Sequence, residues 1–277
     1  MTSIDPNSPS PLLVTTNWLA EHFENPDFVL IDAGEADAYR RVHIPGSVGL
    51  PHPYLKSRSN RALVMPPEEF EPLARSWGLS NDQEVIIYDD NASLHAARAW
   101  WVLRYHGHRN VKIVDGGLNA WLDEDRPLTS RIPRPKAGDF TSNLDSSQNC
   151  SMDELMELTT DSSDASQIWD TRSDGEWDGS VDRGNKRVGR VPGAIHLEWR
   201  HLMQGPPARR FRPLDEIRAR IEEAGIDPAA PAITYCQSGI RGAFAPFVLA
   251  LLGNDQARNY DGSMGEWANQ ENTPLEL

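Results

Sequence analysis

The stretch "ITYCQSGIRGA", residues 233–243, sets one of only two cysteines at the end of a β-branched and aromatic run, with an arginine five positions on. An apolar, helix-like segment follows it. A loop of this kind curls so that successive backbone N–H groups point inward and form an anion-binding nest. The N-terminus of the next helix adds roughly half a positive charge, and Arg241 adds a full one that does not titrate in water. Gly239 and Gly242 permit the tight path. Together these features favour thiolate over thiol at Cys236. The same cradle suits a small anion such as a persulfide sulfur or a sulfonate. The bland alternative is an inert cysteine buried as a small hydrophobe; the Gly- and Arg-containing loop before a helix weighs against it.

The elements that must position this loop are written twice. Residues 85–121 ("VIIYDDNASLHAARAWWVLRYHGHRNVKIVDGGLNAW") and 232–267 ("AITYCQSGIRGAFAPFVLALLGNDQARNYDGSMGEW") both read as strand, loop, apolar helix, Gly, strand, Asp-Gly turn and Trp. A second pair lies upstream, "VLIDAGEADAYRRVHIPGSVGLP" and "IWDTRSDGEWDGSVDRGNKRVGRVPGAIHLEW". The shift that maps Pro45-Gly46 onto Pro192-Gly193 maps Asp89 onto Cys236. The repeat predicts one domain over 1–130, a Pro-, Ser- and Asn-rich linker over 131–150, and a second domain over 151–277. Alternating β-rich runs and helical patterns favour α/β units with a parallel sheet. Strands are expected at 29–32, 85–88, 112–114, 167–170, 232–235 and 257–260. Helices are expected at 16–22, 67–77, 96–106, 151–158, 214–224 and 243–252. In open parallel sheets ligands bind beyond the carboxyl ends of the strands, and Cys236 and Asp89 both stand at such ends.

Composition narrows the setting. The formal charge of −14 over 277 residues argues against a nucleic-acid partner. No apolar run approaches the ~18 residues that span a membrane, and the first ten residues carry no signal-peptide pattern. Cys150 and Cys236 make no disulfide framework, so a reducing cytoplasm is the expected compartment. Cys150 has no glycine loop beside it and reads as an incidental thiol. No spaced Cys/His/carboxylate set suggests a metal.

On these residues the chain resembles the tandem-domain rhodanese family, the thiosulfate and 3-mercaptopyruvate sulfurtransferases, over nearly its whole length. "HIPGS" at His43 and "GRVPGA" at Gly189 look like the family's Gly-His-Ile-Pro-Gly-Ala signature, and "CQSGIR" looks like its active loop. "YDGSMGEW" and "TPLEL" look like its C-terminal signature, and "YDDNASLHAARAWWVLRYHGH" and "VDGGLNAW" look like its inactive first domain. The resemblance implies two rhodanese-like domains, each a parallel β-sheet flanked by helices, with catalysis only in the second. It implies a ping-pong sulfurtransferase that carries sulfane sulfur from thiosulfate to cyanide or a thiol as a Cys236 persulfide, with no metal or organic cofactor. Gln237, Ser238, Gly239, Ile240 and Arg241 would supply the N–H cradle, Arg241 would pair with the donor's oxygens, and Trp199 would line the pocket. A family substrate arginine is replaced near Glu176, and Arg190 or Arg187 are the candidates to substitute. A monomer acting on a small anionic donor is expected, without nucleic acid or membrane. The alternatives are 3-mercaptopyruvate as donor, a non-catalytic rhodanese binding module, or a phosphatase; the last is disfavoured because Cys236 to Arg241 is Cys-x4-Arg, one residue short of the phosphatase cradle.

Overall fold

A computed structural model describes residues 7–24, 27–160 and 165–277. They fall into two compact units, one of residues up to 59, 64–145 and 203–211, the other of residues 60–63, 146–202 and 212–277.

The first unit runs β1 (Leu13–Val14), α1 (Thr16–His22), β2 (Phe28–Asp32), α2 (Ala36–Arg41), β3 (Val48–Gly49), α3 (Pro67–Ser76), β4 (Glu84–Tyr88), α4 (Leu94–Tyr105), β5 (Val111–Val114) and α5 (Gly117–Asp123). Its strands form one parallel sheet in the order β1-β5-β4-β2-β3. The central strands β2 and β4 are buried at every residue, which is why they read as continuous apolar runs rather than alternating ones. The stretch 131–145 also packs here. Phe140 is fully buried, edge-on to Phe70 of α3.

The second unit repeats the plan: β6 (Asn149–Cys150), α6 (Met152–Leu158), β7 (Gln167–Asp170), α7 (Asp174–Trp177), β8 (Ala194–His196), α8 (Leu214–Glu223), β9 (Ala232–Tyr235), α9 (Ile240–Leu251), β10 (Ala257–Tyr260) and α10 (Ser263–Trp267). Its parallel sheet has the order β6-β10-β9-β7-β8. Two α/β units are therefore present, each a five-stranded parallel sheet flanked by helices.

Two helices begin earlier than the apolar pattern suggests. α4 starts at Leu94 and α9 at Ile240, directly after left-handed N-cap residues, Ser93 (φ 61°) and Gly239 (φ 75°). The spacing between repeats also slips within the loop. Asp89 to Cys236 is 236 − 89 = 147 positions, but the helix starts are 240 − 94 = 146 apart. The loop after β4 is one residue longer than the loop after β9. Among the described residues no helix is long and apolar enough to cross a membrane.

Candidate active site

Cys236 follows β9, a central strand of the second sheet, and is 1% exposed. Four residues later the chain is in α9, so the loop turns through most of a circle. The turn is made at Gly239, where φ is +75° and a Cβ would run into the side chain and backbone of Asp261. Only glycine meets both demands. The first-turn N–H groups of α9, on Ile240, Arg241 and Gly242, have no acceptor within the helix.

The loop is pinned from behind by Ser263. Its Oγ accepts the N–H of Cys236 at 3.1 Å and the N–H of Gly239 at 2.9 Å, and its hydroxyl donates to the Tyr260 carbonyl at 2.8 Å. Ser263 is fully buried and sits at φ 53°. The N–H of Met264 donates to the Cys236 carbonyl and that of Gly265 to the Gln237 carbonyl. Gly239 therefore contributes its conformation, while its N–H is committed to Ser263. Ser263 lies inside the quoted "YDGSMGEW" motif, but its role depends on a contact 27 positions away that spacing does not reveal.

The side chains around the loop divide by what holds them. Gln237 and Asn185 exchange amide hydrogen bonds, Gln237 Nε2 to Asn185 Oδ1 at 2.8 Å and Asn185 Nδ2 to Gln237 Oε1 at 3.1 Å. Ser238 is exposed and Ile240 buried. Arg241 is gripped by Glu176 of α7: Nη1 donates to Oε2 at 2.6 Å and Nη2 to Oε1 at 2.8 Å. Glu176 is itself 3% exposed and accepts the Ser173 hydroxyl at 2.8 Å in a capping box. Burial alone would raise the Glu176 pKa, but the hydrogen bonds and charge of Arg241 outweigh it and hold the carboxyl at about 2. Burial disfavours the Arg241 charge too, and the hydrogen bonds of Glu176 together with the charges of Cys236, Glu176 and Asp170 more than restore it.

Trp199 is 3% exposed and meets Phe244 of α9 edge-on, with ring centroids 5.3 Å apart. Arg190 lies over the Trp177 ring at 4.4 Å, and its Nε is 4.0 Å from Glu276. Arg187 is tied to the carbonyls of Trp267, Ala268, Gln270 and Thr273. It is a brace for the C-terminal segment. Arg183, which the motifs did not single out, is the exposed cation beside the pair, with its Nε 3.7 Å from Glu176. Below the loop, Asp170 binds Arg172 through three contacts of 2.6–3.0 Å and accepts the Tyr235 hydroxyl at 2.7 Å.

The equivalent loop of the first unit is already filled. The Asp89 carboxylate accepts four backbone N–H groups, those of Asn91 and Ser93 on Oδ1 and those of His95 and Ala96 on Oδ2, at 2.7–2.9 Å. Four N–H donors on two oxygens favour the ionised form, while burial, the larger effect, works to raise the pKa. Among the described residues no group of three or more His, Cys, Asp or Glu could hold a metal ion.

Comparison with known proteins agrees with this architecture. A model of the rhodanese-like domain matches residues 15–124 and again 151–270. Thiosulfate sulfurtransferase of Azotobacter vinelandii is 33% identical over 273 residues, covering 96% of this chain and 97% of the relative. The crystal structure of SseA from Escherichia coli, described with the catalytic mechanism of 3-mercaptopyruvate sulfotransferases, superposes with TM-score 0.82 at 28% identity, covering 91% of this chain and 98% of that one. An EanB variant in complex with hercynine superposes with TM-score 0.80 at 25% identity over 90% of this chain, which spans 64% of the EanB chain. With the domain matched twice and a relative aligned along its whole length, the chain belongs to the rhodanese family.

Proposed function

We propose that the protein is a sulfurtransferase that carries sulfane sulfur as a persulfide on Cys236, with thiosulfate as the donor. The observation that carries this reading is the Cys236 loop itself. Its buried sulfur follows a central strand, and within four residues, past a left-handed glycine, comes a helix start whose N–H groups lack helical acceptors. The Cys236 thiolate attacks the outer sulfur of thiosulfate. The S–S bond of the donor breaks and sulfite leaves with its electron pair. The new persulfide anion lies in the N–H cradle of Gln237, Ser238, Ile240 and Arg241. Cyanide or a thiolate then attacks the outer sulfur, and the Cys236 thiolate is restored. Trp199 and Arg190 line the donor side, and residues 1–130 form a non-catalytic partner domain in which Asp89 stands where the nucleophile would be. The proposal includes a reducing, cytoplasmic setting, where a free thiol persists, and a monomer, because one chain supplies every group named.

A second reading, 3-mercaptopyruvate as donor, is favoured by one observation: the Arg241 charge is already matched by Glu176. The test is thiocyanate release from thiosulfate plus cyanide, with 3-mercaptopyruvate in parallel, for wild type and Cys236→Ser. Turnover lost in the serine variant supports sulfur transfer, and the faster donor settles the choice. A folded wild type that turns over neither donor leaves the binding-module reading.

A further inference from the structure

Arginine beside a nucleophilic loop is normally counted as a free cation for an anionic substrate. Here it is not free. Both Nη groups of Arg241 point at the two oxygens of one carboxylate. The side chains of Arg241 and Glu176 are 17% and 4% exposed, so solvent does little to separate them. Glu176 cannot swing away easily either, because the Ser173 hydroxyl also donates to its Oε2 and the start of α7 holds it in a capping box. The next cationic group, Arg172, is likewise paired, with Asp170. Arg183 is the remaining nearby cation in contact with Glu176, and its side chain is 55% exposed, where salt and water screen it.

We propose that Glu176 is a specificity-determining positioning residue for the donor step: it fixes the Arg241 guanidinium beside the Cys236 loop and cancels its charge, so that doubly charged donors lose more than singly charged ones. The inference rests on the sulfur-transfer reading of Cys236 and adds to it the property by which donors are sorted. Coulomb energy scales with the product of charges, so a neutralised arginine costs a dianion twice what it costs a monoanion at the same place. The Nε–H of Arg241 and the second hydrogen of each Nη keep their direction and remain as hydrogen-bond donors. The site thus recognises donor oxygens by geometry while withholding most of the charge attraction. Sulfite, the dianionic product of the thiosulfate half-reaction, is released more easily for the same reason.

The test separates charge from fold and from turnover. Glutamine serves the capping position as glutamate does, and it leaves Arg241 one oxygen acceptor, so Glu176→Gln removes the charge but keeps the contacts; because it leaves a buried cation unmatched, it is titrated where circular dichroism shows it folded. In a Cys236→Ser background, thiosulfate and pyruvate are titrated by calorimetry with and without Glu176→Gln. Thiosulfate carries two charges; pyruvate carries one, on the carboxylate that 3-mercaptopyruvate also has. The expected result is a thiosulfate Kd that falls at least about threefold more than the pyruvate Kd, with the difference shrinking as salt is raised. Equal changes for both anions, no change, or no binding of either anion in either background overturns the proposal. Sulfite release by the wild type is followed separately. Its absence would remove the sulfur-transfer reading while the anion titrations still judge Glu176.

Discussion

Asp89 and Cys236 directly follow the equivalent strands β4 and β9 of two copies of one fold, and the Asp89 carboxylate accepts four N–H groups from the loop that follows it. The first unit thus holds a built-in anion at the place where the second carries a thiol. Its loop is one residue longer, which gives the carboxylate the room that two oxygens need. The helix-start donors are the same in kind: His95 and Ala96 N–H in one copy, Arg241 and Gly242 N–H in the other, counted from the N-caps Ser93 and Gly239.

Replacing Asp89 with alanine leaves those four donors without their acceptor inside a buried loop. Each unsatisfied buried donor costs roughly 1–3 kcal/mol, partly relieved by entering water. Asp89→Ala is therefore expected to lower unfolding stability by on the order of 3–5 kcal/mol. Urea denaturation followed by circular dichroism measures it. A loss below about 1 kcal/mol would show that the N–H groups find other partners at little cost.

Ser263→Ala removes the acceptor shared by Cys236 and Gly239. The loop keeps its glycine but loses the pin that sets the thiol's backbone. Misplacing a reacting group by a fraction of an ångström is costly, so sulfur transfer is expected to fall roughly ten- to hundredfold. The assay is run at a temperature where the variant is folded by circular dichroism. Full activity there would mean that Gly239 alone shapes the loop.

Much of this was legible from residue order, and the limits are physical. The parallel strands read clearly because burial on both faces makes them unbroken apolar runs. Edge strands of two or three residues, such as Asn149–Cys150 and Val48–Gly49, are too short for any periodicity to register. Cys236, Gly239 and Arg241 stood out because their chemistry is local. Ser263 and Glu176 did not, since each acts through a partner 24 or more positions away. Arg187 and Arg190 looked alike in sequence. The fold gives the first to backbone carbonyls and the second to the Trp177 ring. A single offset between the repeats hid the extra residue in the first loop, because sequence alone does not show where a helix begins.

The Arg241–Glu176 pair should appear in the pH dependence of stability. Glu176 is depressed from 4.5 to about 2 in the folded state, against the raising effect of its own burial. A depressed carboxyl stabilises the fold fully above its unfolded pKa, and that contribution is lost as pH falls toward the folded one. Arg241→Ala strands a buried carboxylate, a loss of roughly 3–5 kcal/mol at pH 7. The gap between wild type and variant should narrow from pH 7 to pH 3, where Glu176 in the variant is protonated. Urea titrations at the two pH values decide it, and a gap that stays constant would sink the pairing argument.

Asp32 gives the opposite sign. It ends β2 as Asp170 ends β7, and each accepts the N–H two residues on, from Gly34 and Arg172 respectively. Arg172 also places its guanidinium on Asp170, while Gly34 has none to offer Asp32. Burial therefore prevails at Asp32, against the Gly34 N–H and the Tyr88 hydroxyl, and pushes its pKa from 3.8 to about 6. A raised carboxyl stabilises the fold below its unfolded pKa, and that contribution is lost as pH rises through the folded one. Between pH 4 and pH 7 the wild type should lose on the order of 3 kcal/mol relative to Asp32→Asn, which cannot ionise. Denaturant midpoints of the two proteins at both pH values measure the difference. Parallel pH profiles would mean that Asp32 is ionised at no cost, and that some cation other than an arginine at position 34 compensates it.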